Sequence, residues 1–233
     1  MFSTSKRKSN ILADLGPLYH SYSFLGVDNE QISGIYAPNQ KVKSPIITAY
    51  IAQAIAKCAG QDEHGPSFTE LFCADGYYAM IASRLGCHIS IGIDNNSDKH
   101  FEKAEVIAER LGLTGCQFIQ SEITTESSFA RTDIVANLGG LYHVEDPAKI
   151  LENSYHQAIQ YLIVQSVVSL AVEDDSYFES PAPGWTWGCR FSRSSFHKMM
   201  MSVCPNIVDH HFNELPGNER PEDRGSVYYL IKR

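Results

Sequence analysis

The stretch Glu70-Leu71-Phe72-Cys73-Ala74-Asp75-Gly76-Tyr77-Tyr78 decides the fold of this 233-residue chain. An apolar run from Phe68 to Cys73 leads into it and predicts a strand. A second apolar run, from Tyr77 to Leu85, leads out of it and predicts a helix that Gly86 closes. The turn between them must let the backbone approach a ligand while the first N–H groups of the helix face the polar end of that ligand. The stretch therefore predicts a strand, a ligand-binding turn and a helix.

A second strand, predicted from His88 to Asp94, ends in a carboxylate. Asp94 follows Glu70 by 24 residues. Dinucleotide-binding α/β units place an acidic residue about 20 residues after the turn, where it accepts hydrogen bonds from ribose hydroxyls. Asp94 is therefore predicted to bind a ribose.

The alternation of strands and helices continues along the chain. Ser97 is predicted to cap a helix that ends at Gly112, and Asp146-Pro147 to begin a helix that runs to Ala158. Further strands are predicted at Cys116–Gln120, Asp133–Leu138 and Tyr161–Val168. After a helix at Ser192–Val203, the runs Asn206–Phe212 and Ser226–Lys232 predict an antiparallel pair. The sequence thus predicts an α/β fold with a mostly parallel sheet, right-handed crossovers and an antiparallel terminal strand.

Residues 1–60 are predicted to form a helical cap in front of a core that spans 61–233. Ile11 to Leu25 is apolar and aromatic with helical spacing in places. Ser44-Pro45 predicts a helix start, with Ser44 as N-cap and Pro45 at the first position, and Gly60 predicts its end. The core is expected to carry an insertion at about 169–192.

The motifs of the core resemble those of class I methyltransferases that use S-adenosylmethionine (SAM). The quoted stretch resembles their first motif, although Phe72 and Ala74 stand where that family has glycine. Asp133 to His143, followed by Asp146-Pro147, is similar to their fourth motif and the loop after it. The span from Tyr19-His20 to Leu141-Tyr142-His143 particularly resembles methyltransferases related to the tRNA wobble-uridine carboxymethyl-transferring enzyme, over roughly Leu18 to Val168.

The resemblance implies a Rossmann-like class I methyltransferase fold with SAM as cofactor. A phenylalanine at position 72 must then point its ring away from the cofactor, or it displaces the methionine end. Glu122 is expected beside the adenine, the alternative being a loop acid that faces solvent. The residues implied to bind SAM lie at the ends of the first four strands: Glu70, Phe72, Cys73, Ala74, Gly76, Asp94, Asn95, Glu122, Ile123, Leu138 and Gly139.

Methyl transfer from a sulfonium is a direct displacement, so the protein aligns the acceptor, excludes water and removes a proton where needed. His143 is the leading candidate base because it follows the fourth strand and its imidazole titrates near working pH. The alternative is a histidine that only fixes its loop. Tyr142 and His20 complete the catalytic candidates, and packing is the alternative for His20.

Four residues are candidates for binding the acceptor: Tyr22, Trp185, Trp187 and Arg190. Both tryptophans lie in the insertion, and their faces suit a planar or cationic acceptor. Arg190 suits a carboxylate or phosphate. His210-His211 lies on a strand, so the two rings face opposite sides and are expected to be structural, not metal ligands.

Composition narrows the partners. The chain has 19 Lys and Arg against 27 Asp and Glu, a formal net charge of −8, and its only basic cluster is the opening Ser-Lys-Arg-Lys run. This balance disfavours nucleic acid as a partner. The six cysteines show no zinc-type spacing and are expected to be free thiols. No apolar run approaches the ~20 residues that cross a bilayer, so a soluble cytoplasmic protein without a membrane partner is expected, and a homodimer stays open.

Three functions follow from these patterns. The first is SAM-dependent methylation of oxygen or nitrogen on a small-molecule acceptor. The second is a tRNA wobble-uridine-type modifying methyltransferase, which could use a carboxylated SAM and would then need a cation aimed at the extra carboxylate. The third is a catalytically inactive methyltransferase-like binding subunit, for which Phe72 and Ala74 argue.

Overall fold

The computed structural model of the chain describes residues 11–58 and 64–233. Strands and helices alternate through most of these residues. The strands are β1 (Ser67–Leu71), β2 (Ile89–Asp94), β3 (Cys116–Gln120), β4 (Thr132–Leu138), β5 (Ala158–Val168), β6 (Phe178–Glu179), β7 (Arg190–Phe191), β8 (Ile207–Glu214) and β9 (Gly225–Lys232). The helices are α1 (Tyr36–Cys58), α2 (Tyr77–Arg84), α3 (Ala104–Arg110), α4 (Pro147–Gln157) and α5 (Arg193–Val203).

Seven strands form one sheet in the order β3-β2-β1-β4-β5-β9-β8. The five strands from β3 to β5 are parallel, and β9 is inserted antiparallel between β5 and β8. The order reverses between β1 and β4, and open α/β sheets bind ligands outside the carboxyl ends of the strands at such a point. This confirms the predicted Rossmann-like sheet with its antiparallel end.

Helices cover both faces of this sheet. The core on one face contains apolar side chains of α1, α2 and α3, and the core on the other contains those of α4 and α5. The middle strands are buried on both sides, which explains why β5 reads as a continuous apolar run. Because β1 to β5 are parallel, their carboxyl ends meet at one edge of the sheet.

Two predicted helix starts are confirmed by their caps. The Asp146 carboxylate accepts a hydrogen bond from the Lys149 N–H at 2.9 Å, and the Ser192 hydroxyl accepts one from the Ser195 N–H at 3.0 Å. Each side chain satisfies a donor that the first turn of a helix leaves unpaired.

Two other predicted starts are wrong. α1 begins at Tyr36, so Pro45 lies inside the helix instead of at its first turn. Pro45 costs the helix the hydrogen bond to the Lys41 carbonyl, and both residues are exposed, so water can satisfy that carbonyl. Ser97 caps no helix, because Asn96 and Lys99 adopt left-handed backbone (φ 63° and 59°) and delay α3 to Ala104.

The segment 11–58 contains less helix than predicted. Ahead of α1 it has only short 3-10 turns at Ala13–Leu15 and Ser23–Leu25. It is joined to the far end of the sheet by the Tyr50 hydroxyl, which donates to Asp209 at 3.2 Å, and by Asn39, whose amide donates to Asn218 at 2.8 Å. The predicted stop at Gly60 and the opening basic run lie outside the described residues.

Two further expectations, on the cysteines and on the His210-His211 pair, are confirmed in the described residues. All six cysteines are free thiols. His210 stacks on Tyr229 while His211 lies near Tyr228, so the two rings do face opposite sides. The described ranges contain no group of His, Cys, Asp and Glu arranged to hold a metal ion. Among the helices of these ranges, none has the length and apolar character needed to cross a bilayer.

Candidate functional site

A cavity of about 490 Å³ lies at the carboxyl edge of the parallel strands. This size is typical of a small-molecule or cofactor site. Its lining includes 14 of the residues predicted from the sequence: His20, Glu70, Phe72, Cys73, Ala74, Asp94, Asn95, Glu122, Ile123, Leu138, Gly139, Tyr142, His143 and Trp187. Residues from the ends of β1 to β4, from the insertion and from the N-terminal segment thus face one space.

The turn after β1 has a glycine-like backbone although it contains one glycine. Phe72, Ala74 and Gly76 all have positive φ, at 60°, 49° and 77°. At Gly76 a Cβ would also lie 2.2 Å from the Phe118 ring, so only glycine fits there. Gly76 does not line the cavity. Phe72 and Ala74 hold a conformation that non-glycine residues seldom adopt.

The Phe72 ring lies against Gly140. A Cβ at Gly140 would be 1.9 Å from Cδ2 of Phe72, so the missing side chain at 140 makes the room that the ring occupies. The ring also packs on the core beneath α4. Phe72 contributes to the cavity wall, and its ring fits into the space beside Gly140, in the loop that follows β4 (the β4 loop).

Asp94 ties the end of β2 to this turn. One carboxylate oxygen accepts from the Ala74 N–H at 3.0 Å and the other from the Asn96 N–H at 2.7 Å. Burial raises the pKa of Asp94, and these two backbone hydrogen bonds oppose that rise. Each oxygen retains a lone pair for a further donor in the cavity.

Glu70 holds the turn by linking the end of β1 to the start of α2. It is buried, and its Oε2 accepts from the Ala79 N–H at 2.7 Å at the start of α2. Burial raises the pKa of Glu70 well above its ordinary value, and the carboxylates of Asp75 and Asp94 act in the same direction. Its contact with the helix makes Glu70 a capping residue for α2.

Glu122 lies in the loop after β3. Its two carboxylate oxygens accept from the Asn95 side-chain amide at 3.2 and 3.3 Å. Both residues are exposed and both line the cavity. Polar groups of Glu122 and Asn95 are therefore available to a ligand at the solvent-exposed end of the cavity.

His20 and Asp75 join the N-terminal segment to the turn. The His20 ring Nδ1 is 2.6 Å from Asp75 Oδ1, and the His20 backbone N–H donates to Oδ2 at 3.0 Å. Both side chains are buried, and the His20 ring stacks on Tyr77 at 4.7 Å. With Nδ1 held by the carboxylate, the imidazole orientation is fixed.

We expect Asp75→Asn to lower the free energy of unfolding by about 2 kcal/mol, because an amide cannot accept both hydrogen bonds and turns an N–H toward a donor. Urea denaturation measures the loss. Asp28→Asn is the control, since Asp28 is exposed in the N-terminal segment that contains His20, and it should change stability by at most about 0.5 kcal/mol. Equal stability of the two variants would contradict a holding role for Asp75.

His143 is the most accessible histidine of the cavity wall. It follows β4 in a short 3-10 turn, stacks on Trp187 at 5.0 Å with an interplanar angle of 9°, and lies 4.2 Å from the Tyr142 ring. Desolvation by the surrounding protein lowers the pKa of His143 to about 4, with the positive charges of Arg190 and Lys43 adding to the effect. Its ring is therefore neutral at physiological pH.

We expect the His143 ring to titrate about two pH units below an ordinary histidine. The unfolded chain takes up this proton near pH 6.5 and the folded chain only near pH 4. Above pH 6.5 the ring is neutral in both states, and its titration costs no stability. As the pH falls from 6.5 toward 4, the unfolded chain binds a proton that the folded chain does not bind, so the free energy of unfolding decreases. NMR titration of the ring protons tests this, with His143→Asn to assign the signal. A midpoint at or above 6 would be the contrary result.

Three of the four residues predicted to bind the acceptor do not line the cavity. Tyr22 is fully buried and its hydroxyl donates to the Asp75 carbonyl. Arg190 is also buried, and its guanidinium donates to Asp223 at 2.6 and 2.8 Å. Trp185 is exposed and contacts Trp187, 5.1 Å away, without lining the cavity. The side chains of Tyr22 and Arg190 thus contact other residues of the protein instead of the cavity.

Sequence reasoning missed Lys43, which lines the cavity from α1. It lies four residues before Ile47 and on the face that also carries Ile51, Ala54 and Cys58, all buried. A lysine on the apolar face of a helix was the available signal, but the helix was predicted to start one residue after it. Asp98 and His100 also line the cavity and were not predicted.

The chain is similar to known methyltransferases. The family model described as a methyltransferase domain matches residues 63–215. No curated protein matches the sequence. The solved structure of magnesium protoporphyrin IX methyltransferase from Synechocystis PCC 6803 with bound S-adenosylhomocysteine (SAH) has a TM-score of 0.64 at 13% identity, covering 91% of this chain and 92% of that one.

Two further structures share the fold. The N-terminal domain of EvdMO1 in the presence of SAH and D-fucose has a TM-score of 0.63 at 15% identity, over 94% of this chain and 92% of that chain. Coclaurine N-methyltransferase bound to N-methylheliamine and SAH has a TM-score of 0.56 at 14% identity, over 79% and 73%. At these identities the likeness concerns the fold.

Proposed function

Since this chain belongs to the methyltransferase domain family, and is as such a SAM-dependent methyltransferase, we propose that it methylates an oxygen or nitrogen atom of a small-molecule acceptor. One observation carries the proposal. The turn after β1, Asp94 and His143 all line a single cavity at the carboxyl edge of the sheet. A cofactor held by the first two would thus share its space with a base.

The residues of the cavity fit SAM, which supplies an electrophilic methyl group. The turn has the left-handed backbone that a glycine-rich loop would have, and the Phe72 ring is accommodated over Gly140. In this proposal Asp94 accepts from the ribose hydroxyls, Glu122 and Asn95 bind near the adenine with Ile123 packing on it, and Phe72, Cys73, Ala74, Leu138 and Gly139 surround the methionine end. Glu70 and Gly76 act indirectly, by holding the turn.

The other half of the cavity would receive the acceptor. A hydroxyl or ammonium acceptor must lose a proton as it is methylated, and the neutral imidazole of His143 can take that proton. Tyr142 and Trp187 flank the imidazole and would exclude water. His20, oriented by Asp75, would close the wall from the N-terminal segment, and the insertion at about 169–192 would supply Trp187.

A small molecule is favoured over tRNA by the charge of the chain. The net charge is −8, whereas a protein that follows phosphates normally has a basic face. The fold neighbours named above include structures with a sugar and an alkaloid, which is consistent with small acceptors. The relation to wobble-uridine enzymes therefore enters as an outcome of the test.

A transfer assay tests the proposal. Purified protein is incubated with SAM labelled in its methyl group, together with pools of phenols, amines and carboxylic acids, and separately with bulk tRNA. We expect label in a small molecule, and a rate at least about 100-fold lower for His143→Asn. Label only in tRNA would instead support the wobble-uridine-type function, and SAH binding without any transfer would support an inactive binding subunit.

A further inference from the structure

We infer that the acceptor is a planar anion, whose negative group pairs with Lys43 and whose ring plane lies against Trp187. This inference rests on the proposed function and names the class of acceptor for the same cavity. It follows from a cation that has no partner among the described residues and from an aromatic wall that shares the cavity with it.

Lys43 is a cation placed for an incoming anion. It is the one Lys or Arg among the described residues that line the cavity. In the described part of the chain its ammonium makes no hydrogen bond and lies within 4 Å of no carboxylate. Desolvation lowers the pKa of Lys43 to about 8, so the group is still mostly protonated at pH 7. A partly buried charge without a partner is costly, and a bound anion would remove that cost.

The carboxylates of the cavity belong mainly to its cofactor half. Glu70, Asp94 and Glu122 are fixed at strand ends by bonds to Ala79, to Ala74 and Asn96, and to Asn95. Asp98 is the remaining lining carboxylate. Its charge acts on His143, but it forms no ion pair with Lys43. The positive charge of Lys43 is thus left to the ligand.

The aromatic wall gives the second feature of the acceptor. Trp187 is 43% exposed although it is stacked on His143 and touched by Trp185. Exposed tryptophans in a cavity wall are typical of sites that bind planar groups. Lys43, His143 and Trp187 line the same cavity, and His143 stacks on Trp187, so the cation and the aromatic wall face one space.

The test uses three probes of one shape: 2-naphthoate, 2-naphthyl phosphate and the uncharged 2-naphthamide, titrated by ligand-observed NMR into the full chain saturated with SAH. We expect at least one anion to bind at least tenfold more tightly than the amide, and the tighter anion identifies carboxylate or phosphate. Lys43→Met should reduce this preference to within twofold. Lys41→Met, an exposed lysine on the same helix, should leave it unchanged, and Lys43→Arg should restore most of it.

The outcomes separate this inference from the proposed function. If the amide binds as well as both anions, if no anion binds, or if Lys43→Met keeps the preference, the inference is wrong. If Lys43→Met selectively weakens binding of carboxylated SAM relative to SAM, the anion belongs to the cofactor and the inference is also wrong. SAH affinity and thermal midpoint of Lys43→Met, compared with Lys41→Met, show whether the variant is folded. Failure of the wild-type chain to bind SAH would instead remove the proposed function.

Discussion

Replacing Asp94 by asparagine should lower the affinity for SAH about 100-fold, which corresponds to about 2.7 kcal/mol. The two oxygens of Asp94 already accept backbone N–H groups of Ala74 and Asn96. An asparagine keeps one acceptor and turns an NH₂ group toward one of these donors, so the turn loosens and the ribose loses a charged acceptor. Two losses of this type, each of about 1–3 kcal/mol, make the estimate a conservative one.

Isothermal titration calorimetry with SAH measures this effect. Glu105→Gln is the matched control, because it removes the same charge from an exposed position of α3 outside the cavity. The control should bind within twofold of the wild-type chain. An Asp94→Asn variant that binds SAH as tightly as the control would show that Asp94 does not contact the nucleoside.

The second large effect is expected from Gly140→Ala, which should weaken SAH binding at least tenfold. The new methyl group would lie 1.9 Å from the Phe72 ring, so the ring must leave its place over Gly140. The ring borders the cavity, and its displacement narrows the space beside the turn. Overpacking of this kind typically costs about 1–3 kcal/mol.

A double-mutant cycle isolates the contact between the two residues. Phe72→Ala removes the ring, so Gly140→Ala in that background should bind SAH within threefold of Phe72→Ala alone. Urea denaturation of the four proteins gives the coupling in stability. If Gly140→Ala weakens binding equally with and without the Phe72 ring, the effect comes from the β4 loop itself and our account of Phe72 fails.

The strands of the seven-stranded sheet could be predicted because most of them are apolar runs bounded by polar or glycine residues, whereas the two-residue strands β6 and β7 were not predicted. The starts of α4 and α5 were predicted correctly from Asp146 and Ser192, because each cap bonds to a residue only three positions further along the chain. Ser44-Pro45 led to a wrong prediction of where α1 begins. Proline is favoured at a helix start, but it is also tolerated inside a helix where water reaches the free carbonyl. Local patterns cannot distinguish these two cases.

The candidate site was predictable where position along a strand decides function. Asp94 and His143 follow directly from the ends of β2 and β4. In contrast, the pairing of Arg190 with Asp223 and of His20 with Asp75 depends on contacts between residues that are 33 and 55 positions apart. The accommodation of Phe72 by Gly140 is a contact of the same long-range kind, so the sequence alone indicated only a departure from the family.

The N-terminal segment has a consequence for how this protein can diversify. Tyr19, His20 and Lys43 belong to a part of the chain that precedes the first strand, and bonds such as those of His20, Asn39 and Tyr50 join that part to the sheet. Under the proposed function, substitutions there would alter which compound is admitted, while the strand ends proposed to hold the nucleoside keep their residues. Proteins that descend from one ancestor would thus acquire new acceptors through changes in the N-terminal segment, and would inherit the residues at the strand ends unchanged.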